Sequence, residues 1–155
     1  MCGRYTLFTD EEYQDIRKII RAVQEKGNEV KTGEIYPTNP APILVWEGKE
    51  TVPQAVKWGW PKFQGSGVLI NARAETAEEK NLFRKSVYTR RCVVPTTGFY
   101  EWDQEKAKYR FILPHASTLY LAGLYNEFQG EKTFFFFDLT TEPMHRFPLS
   151  TAVCR

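Results

Sequence analysis

Four phenylalanines stand side by side at Phe134, Phe135, Phe136 and Phe137. Successive side chains of a strand point to opposite faces, so such a run suits a strand buried on both sides. A chain that carries it must pack material over both faces of that strand. The surrounding sequence has matching character. Short apolar or alternating stretches at 43–46, 51–58, 92–94, 98–103, 109–113, 119–125 and 133–139 are separated by turn-forming segments at 47–50 and 104–108. Tyr13, Ile16, Ile19, Ile20 and Val23 follow Asp10-Glu11-Glu12 at helical spacing, which predicts an amphipathic helix ending near Gly27-Asn28. Pro37, Pro40 and Pro42 predict an extended segment poor in ladder bonds, and 77–85 reads as a second, short helix. About eight strands and two helices make an α+β domain with a mostly antiparallel sheet curled toward a barrel. At 155 residues the chain has room for one such domain, spanning 1–155.

Charge narrows the partners. A formal net charge of +2 is too small to draw nucleic acid by bulk electrostatics, so any such contact needs a local basic strip. Cysteines at 2, 92 and 154 are odd in number and form no C-x-x-C pair, which argues against a disulfide framework or a zinc site. No metal and no cofactor are expected. Residues 1–20 lack the basic start and apolar core of a signal peptide, and no window is long enough to span a bilayer. A soluble, cytoplasmic protein with no membrane partner is the expectation.

Cysteine at position 2 permits removal of Met1, which would place an α-amine and a thiol on one residue. The amine, with a reference pKa near 7.7–8.0, and the thiol, near 8.5, are each partly in their nucleophilic form at neutral pH. An aldehyde meeting the pair forms a Schiff base with the amine, and the thiol then closes on the same carbon to give a thiazolidine. On position alone Cys2 reads as merely small and buried.

Five segments change that balance: Met1-Cys2-Gly3-Arg4-Tyr5-Thr6; Pro37-Thr38-Asn39 with Ala41-Pro42; Lys57-Trp58-Gly59-Trp60-Pro61; Ile70-Asn71-Ala72-Arg73-Ala74-Glu75-Thr76; and Gly98-Phe99-Tyr100-Glu101-Trp102. In this order and spacing the chain resembles the SOS response-associated peptidase family, from Met1 to about Pro143. The resemblance implies a sensor that crosslinks to abasic sites in single-stranded DNA and associates with the nucleoid during DNA damage. It implies Cys2 as the nucleophile, also freed by self-cleavage when a leader precedes it. Asn71 would orient the amine or the sugar through its side-chain amide. Glu101 would be the general acid/base, in need of an enclosed setting that raises its pKa. Tyr100 and Trp102 are candidates for that setting, although strand alternation points them away from the Glu101 side chain. Read singly, Asn71 could cap the following helix and Glu101 could be an ordinary strand residue.

Arg4, Arg73 and Trp58 are the candidate DNA contacts, the guanidiniums for phosphates and the indole for base stacking. Trp58 and Trp60, two residues apart, are expected to share a face. Arg84, Lys85, Arg90 and Arg91 form a further basic run that reads as a solvated face. Beyond Pro143 the resemblance weakens. The family carries a His-Asp-Arg-Met-Pro segment with an active-site histidine and some tens of further residues. This chain has Met144-His145-Arg146-Phe147-Pro148 and lacks the usual C-terminal portion. His145 is either that histidine in an altered setting, able to protonate the sugar ring oxygen, or a chance residue. His115 reads as an ordinary surface residue, and Cys92 and Cys154 as structural. A shortened C-terminus also suggests that one face of the Phe134–Phe137 strand lacks its cover. Two further functions compete with covalent sensing. One is a cysteine peptidase acting on its own leader. The other is a catalytically inert module that grips single strands.

Overall fold

A computed structural model describes residues 3–113, 118–138 and 152–154. In chain order its elements are β1 (Arg4–Leu7), α1 (Gln14–Gln24), β2 (Gly33–Ile35), β3 (Pro40–Trp46), β4 (Thr51–Trp58), β5 (Trp60–Pro61), β6 (Val68–Leu69), β7 (Asn71–Arg73), α2 (Ala74–Ala77), α3 (Asn81–Thr89), β8 (Arg91–Thr96), β9 (Gly98–Trp102), β10 (Lys108–Ile112), β11 (Leu119–Phe128), β12 (Glu131–Asp138) and β13 (Ala152–Cys154). The class is α+β, and every strand pairing is antiparallel except those of β12 with β4 and β7. One sheet runs β11-β8-β3-β4-β12, and β12 pairs back onto β11, so these strands close into a barrel. A second sheet, β13-β10-β9-β1-β2, is antiparallel throughout. β5 and β6 form a small hairpin of their own.

The phenylalanine run has both of its covers. Phe134 and Phe136 turn inward to a core shared with Tyr5, Ile43, Trp58 and Val94. Phe135 turns outward to a second cluster with Trp60, Phe83 and Leu124 beneath α3. Phe134, Phe135 and Phe136 are at most 1% exposed, so the expected loss of a cover does not occur at this strand. Each buried phenyl ring contributes roughly 1.5–3 kcal/mol. The run therefore welds the barrel interior to its outer layer.

α1 follows the apolar spacing, burying Ile16, Ile20 and Val23. It ends at Gln24, and the turn that follows closes at Gly27, which has φ of 77° and donates to the Gln24 carbonyl at 2.8 Å. Other expectations need correction. The stretch read as one helix at 77–85 is two, α2 and α3, because Glu78, Glu79 and Lys80 lie between them outside either helix. Pro40 and Pro42 lie within β3 rather than in a ladder-poor connection. They are accommodated because that half of β3 pairs with β4 alone, and β8 joins it only at Leu44 and Val45, where the backbone N–H is available. β1, β2, β5, β6 and β7 are additional strands of two to four residues, too short for periodicity to show.

The corner where β8 passes into β9 is held by buried hydroxyls. Thr96 Oγ1 donates to the Thr6 carbonyl at 2.8 Å, and Thr6 Oγ1 lies 2.8 Å from Thr97 Oγ1. The Thr97 amide donates to the same Thr6 carbonyl, and the Phe8 amide donates to Thr97 Oγ1. These bonds fix β1 against the corner and carry the barrel into the second sheet.

Candidate functional site

β1 begins at Arg4, so Cys2 is tied by two peptide units, a reach of roughly 7 Å, to the strand beside β9. Met1, Cys2, His115 and His145 themselves lie outside the described residues. In the register of β1 with β9, Arg4 faces Tyr100 and Tyr5 faces Phe99. Alternation then puts Tyr5, Phe99 and Glu101 on one face of the sheet, and Arg4, Tyr100 and Trp102 on the other. Tyr100 and Trp102 are thus on the far side of the sheet from the Glu101 carboxyl. Its own face holds Phe99 stacked on Phe111 at 5.1 Å, and Tyr109, its partner on β10. Glu101 is half-buried.

Asn71 is in β7, hydrogen-bonded through the parallel β12 pairing that sets it beside Phe136. It is 8% exposed and faces the interior that Phe136 faces. α2 has Arg73 as its N-cap with no side-chain capping bond, so Asn71 does not cap that helix. Trp58 stacks on Phe136 at 5.2 Å and donates its indole N–H to the carbonyl of Ile70, the residue before Asn71, at 3.0 Å. Tyr5 meets both rings edge-on, at 5.1 Å from Trp58 and 5.8 Å from Phe136. This aromatic junction joins the strand pair that leads to Glu101 to the strands that carry Asn71. Asn71, a buried amide able to donate and accept, is the register partner of Phe136 in this junction, and Glu101 lies on the Tyr5 face of β9, two residues beyond Phe99. Arg73, two residues beyond Asn71, is exposed.

Trp58 is the clear departure from expectation. It is fully buried and cannot stack on a base. Trp60 is fully buried too, but in the outer cluster rather than the inner one. The two rings diverge because Gly59, with φ of 112°, ends β4 and breaks the alternation. Among the basic run, Arg84, Lys85 and Arg91 are exposed, whereas Arg90 donates to Asn126. Cys92 is a free, 5% exposed thiol that burial pushes up to about 12, consistent with a structural part. Among the described residues no group of three or more His, Cys, Asp or Glu is placed to hold a metal, and no helix is long and apolar enough to cross a membrane.

Arg4 is on the outer face, apart from Asn71 and Glu101, in a cluster that the sequence did not announce. Its guanidinium pairs with Glu34 at 3.2 Å and lies over the Tyr36 ring at 4.5 Å and the Trp102 ring at 5.7 Å. Lys108 reaches the same carboxylate at 3.5 Å and covers the Tyr100 ring at 4.0 Å. The Tyr36 hydroxyl donates to Glu34 at 2.7 Å. The hydrogen bond from Tyr36 above all holds the Glu34 carboxyl below its ordinary range, against an opposing effect of burial that ranks second, with the Tyr100 hydrogen bond, Lys108 and Arg4 adding to the lowering. β1, β2, β9 and β10 each contribute to the cluster, so only the sheet register assembles it.

Comparison with known proteins agrees with this architecture. The chain is 33% identical over 161 residues to the abasic site processing protein YoqW of Bacillus subtilis, covering 92% of this chain and 69% of that one. It is 31% identical over 157 residues to the abasic site processing protein YoaM of the same organism, covering 92% and 68% respectively. Among solved structures, a protein from Bacteroides thetaiotaomicron superposes with a TM-score of 0.65 at 24% identity, covering 88% of this chain and 67% of its own. A phage-related protein from Bordetella bronchiseptica gives 0.61 at 22% identity, covering 88% and 68%. Residues 1–148 match the family model described as SOS response associated peptidase, and the chain belongs to that family.

Proposed function

We propose that this protein captures abasic sites in single-stranded DNA by bonding covalently to them through Cys2 after loss of Met1. The α-amine of Cys2 adds to the C1′ aldehyde of the open sugar, and loss of one water gives the imine. The Cys2 thiol then adds to the same carbon, its proton passing to the nitrogen, and the thiazolidine closes with no further group lost. Glu101 moves the protons of imine formation, and Asn71 orients the amine or the sugar. His145 protonates the ring oxygen to expose the aldehyde. Arg4 and Arg73 hold phosphates. Trp58 serves from beneath, as support for Ile70 and Asn71, and takes no base. No metal or cofactor enters the chemistry, and the setting is the cytoplasm, at the nucleoid during DNA damage.

The observation that carries this reading is the Tyr5–Trp58–Phe136 junction, which sets Tyr5, on the Glu101 face of the β1–β9 pair, against Phe136, the register partner of Asn71. The names of the relatives YoqW and YoaM support the substrate. An oligonucleotide with one abasic site, incubated with the protein and run under denaturing conditions, should show a shifted band. Cys2→Ala should abolish it. A band that persists in Cys2→Ala, or no band from a wild type shown by mass spectrometry to have lost Met1, sinks the proposal. Self-processing by the same nucleophile is the second activity that the family's description supports. It predicts cleavage of an added N-terminal leader, slowed by Glu101→Ala.

A further inference from the structure

We propose that Glu34 is a specificity-determining counter-charge on Arg4, which weakens the grip of the protein on intact single strands and so reserves stable capture for strands that react. The inference rests on the proposed DNA-binding role, in which Arg4 receives a phosphate. The Glu34 carboxylate accepts from Arg4 at 3.2 Å and forms an ion pair with Lys108 at 3.5 Å, so these two cations share one anion. The rings of Tyr36 and Trp102 hold the guanidinium in place, and Tyr36 also holds the carboxylate by its 2.7 Å hydrogen bond. The cluster is fixed, yet its charges reach solvent: the side chains of Arg4, Glu34 and Lys108 are 26%, 31% and 39% exposed.

A phosphate arriving at Arg4 meets a guanidinium already engaged by a carboxylate, and the two anions repel at short range. An intact strand, bound only by such contacts, gives up part of each phosphate's electrostatic gain. A strand with an aldehyde does not depend on that gain once the carbon–nitrogen and carbon–sulfur bonds form. Specificity here is a difference between partners, obtained by weakening the wrong one. The cost falls on reversible binding, and the covalent step recovers the right partner.

Fluorescence anisotropy with a labelled, undamaged oligothymidine, titrated with wild type, Glu34→Gln, Arg4→Gln and the double variant at several salt concentrations, tests the gate. Glu34→Gln should bind roughly two- to fivefold tighter at low salt. The log–log salt slope should steepen by about 0.7, the value of one added contact on a single strand. In the Arg4→Gln background the gain should shrink, because the cation that Glu34 restrains is gone. Affinity no tighter in Glu34→Gln than in wild type overturns the proposal, as does a gain of full size in the Arg4→Gln background. A parallel abasic oligonucleotide separates this failure from that of the underlying reading. Wild type that crosslinks it while Glu34→Gln leaves intact-strand affinity unchanged refutes the gate alone. Wild type that fails to crosslink refutes covalent capture, and the intact-strand titration still decides the gate.

Discussion

Trp58 donates its indole N–H to the Ile70 carbonyl at 3.0 Å while stacked on Phe136, so the strand that presents Asn71 is braced by a tryptophan with no solvent exposure. Trp58→Phe keeps an aromatic ring and removes the donor, leaving the part-buried Ile70 carbonyl without its indole partner. The cost should be about 1–3 kcal/mol of stability, measured by urea denaturation. A base-stacking tryptophan would behave in the opposite way, with DNA affinity lost and stability kept. Unchanged stability with weakened binding to undamaged strands would return Trp58 to the DNA surface.

Asn71 and Glu101 should separate kinetically. Glu101→Gln preserves size and hydrogen bonding but cannot exchange a proton, so crosslinking at saturating abasic oligonucleotide should slow by about 100-fold. Asn71→Ala should raise the oligonucleotide concentration that gives half-maximal rate, because an orienting amide acts on placement. Time courses across a range of oligonucleotide concentrations check both, and two variants with identical maximal rates and half-saturation would show that neither residue has its assigned role.

Cys92 should be inert. Its thiol is 5% exposed and pushed up to about 12 by burial, so almost none is thiolate at pH 8. Alkylation of the native protein followed by peptide mapping should leave Cys92 unmodified, whereas the urea-denatured chain should label it. Cys92→Ala should retain the abasic-site crosslink that Cys2→Ala loses.

These expectations show where sequence was informative. The α1 helix was legible because Ile16, Ile20 and Val23 recur at helical spacing and all three are buried. Phe134–Phe137 was legible as a two-faced strand because only such a strand hides consecutive rings. The placement of Asn71 was not, since β7 has three residues and exists through a parallel pairing with β12, some sixty-five positions away by the register Asn71↔Phe136. The face shared by Trp58 and Trp60 was misread because alternation was carried through Gly59, whose positive φ ends it. The Glu34 cluster left no signal, as its members become neighbours only when β1 pairs with both β2 and β9 and β9 pairs with β10.

Acid should expose the Glu34 network. The carboxyl is held below the 4.5 of an unperturbed glutamate, chiefly by the Tyr36 hydroxyl. A depressed folded-state value means that the network's contribution to stability is fully present above the unfolded pKa and is lost as pH falls through the folded one. Urea melts from pH 7 to pH 3 should therefore show wild type losing more stability than Glu34→Gln below about pH 4.5. Asp103, depressed by the Ala107 amide and then the Tyr109 hydroxyl and the Glu105 amide, supplies an acid slope common to both proteins. Identical slopes would mean that the cluster does not stabilise the fold.

Gly98 should tolerate no side chain. It opens β9 at the hydroxyl corner with φ of 148°, outside the range that L residues favour. A Cβ there would lie 2.7 Å from the Phe111 carbonyl oxygen and 2.8 Å from Ile112 Cγ2. The carbonyl is backbone of β10, paired to β9, so it cannot swing aside as a flexible side chain would. Gly98 also donates its amide to Thr96 Oγ1, and its carbonyl lies within hydrogen-bond distance of the Thr6 and Thr96 hydroxyls, so a shift of its backbone loosens the whole corner. Backbone strain and overpacking together should cost Gly98→Ala about 2–4 kcal/mol, read from the urea midpoint. Because β9 carries Glu101 three residues on, crosslinking should fall even in the fraction that remains folded. Wild-type stability and rate in Gly98→Ala would show that the corner does not set the position of Glu101.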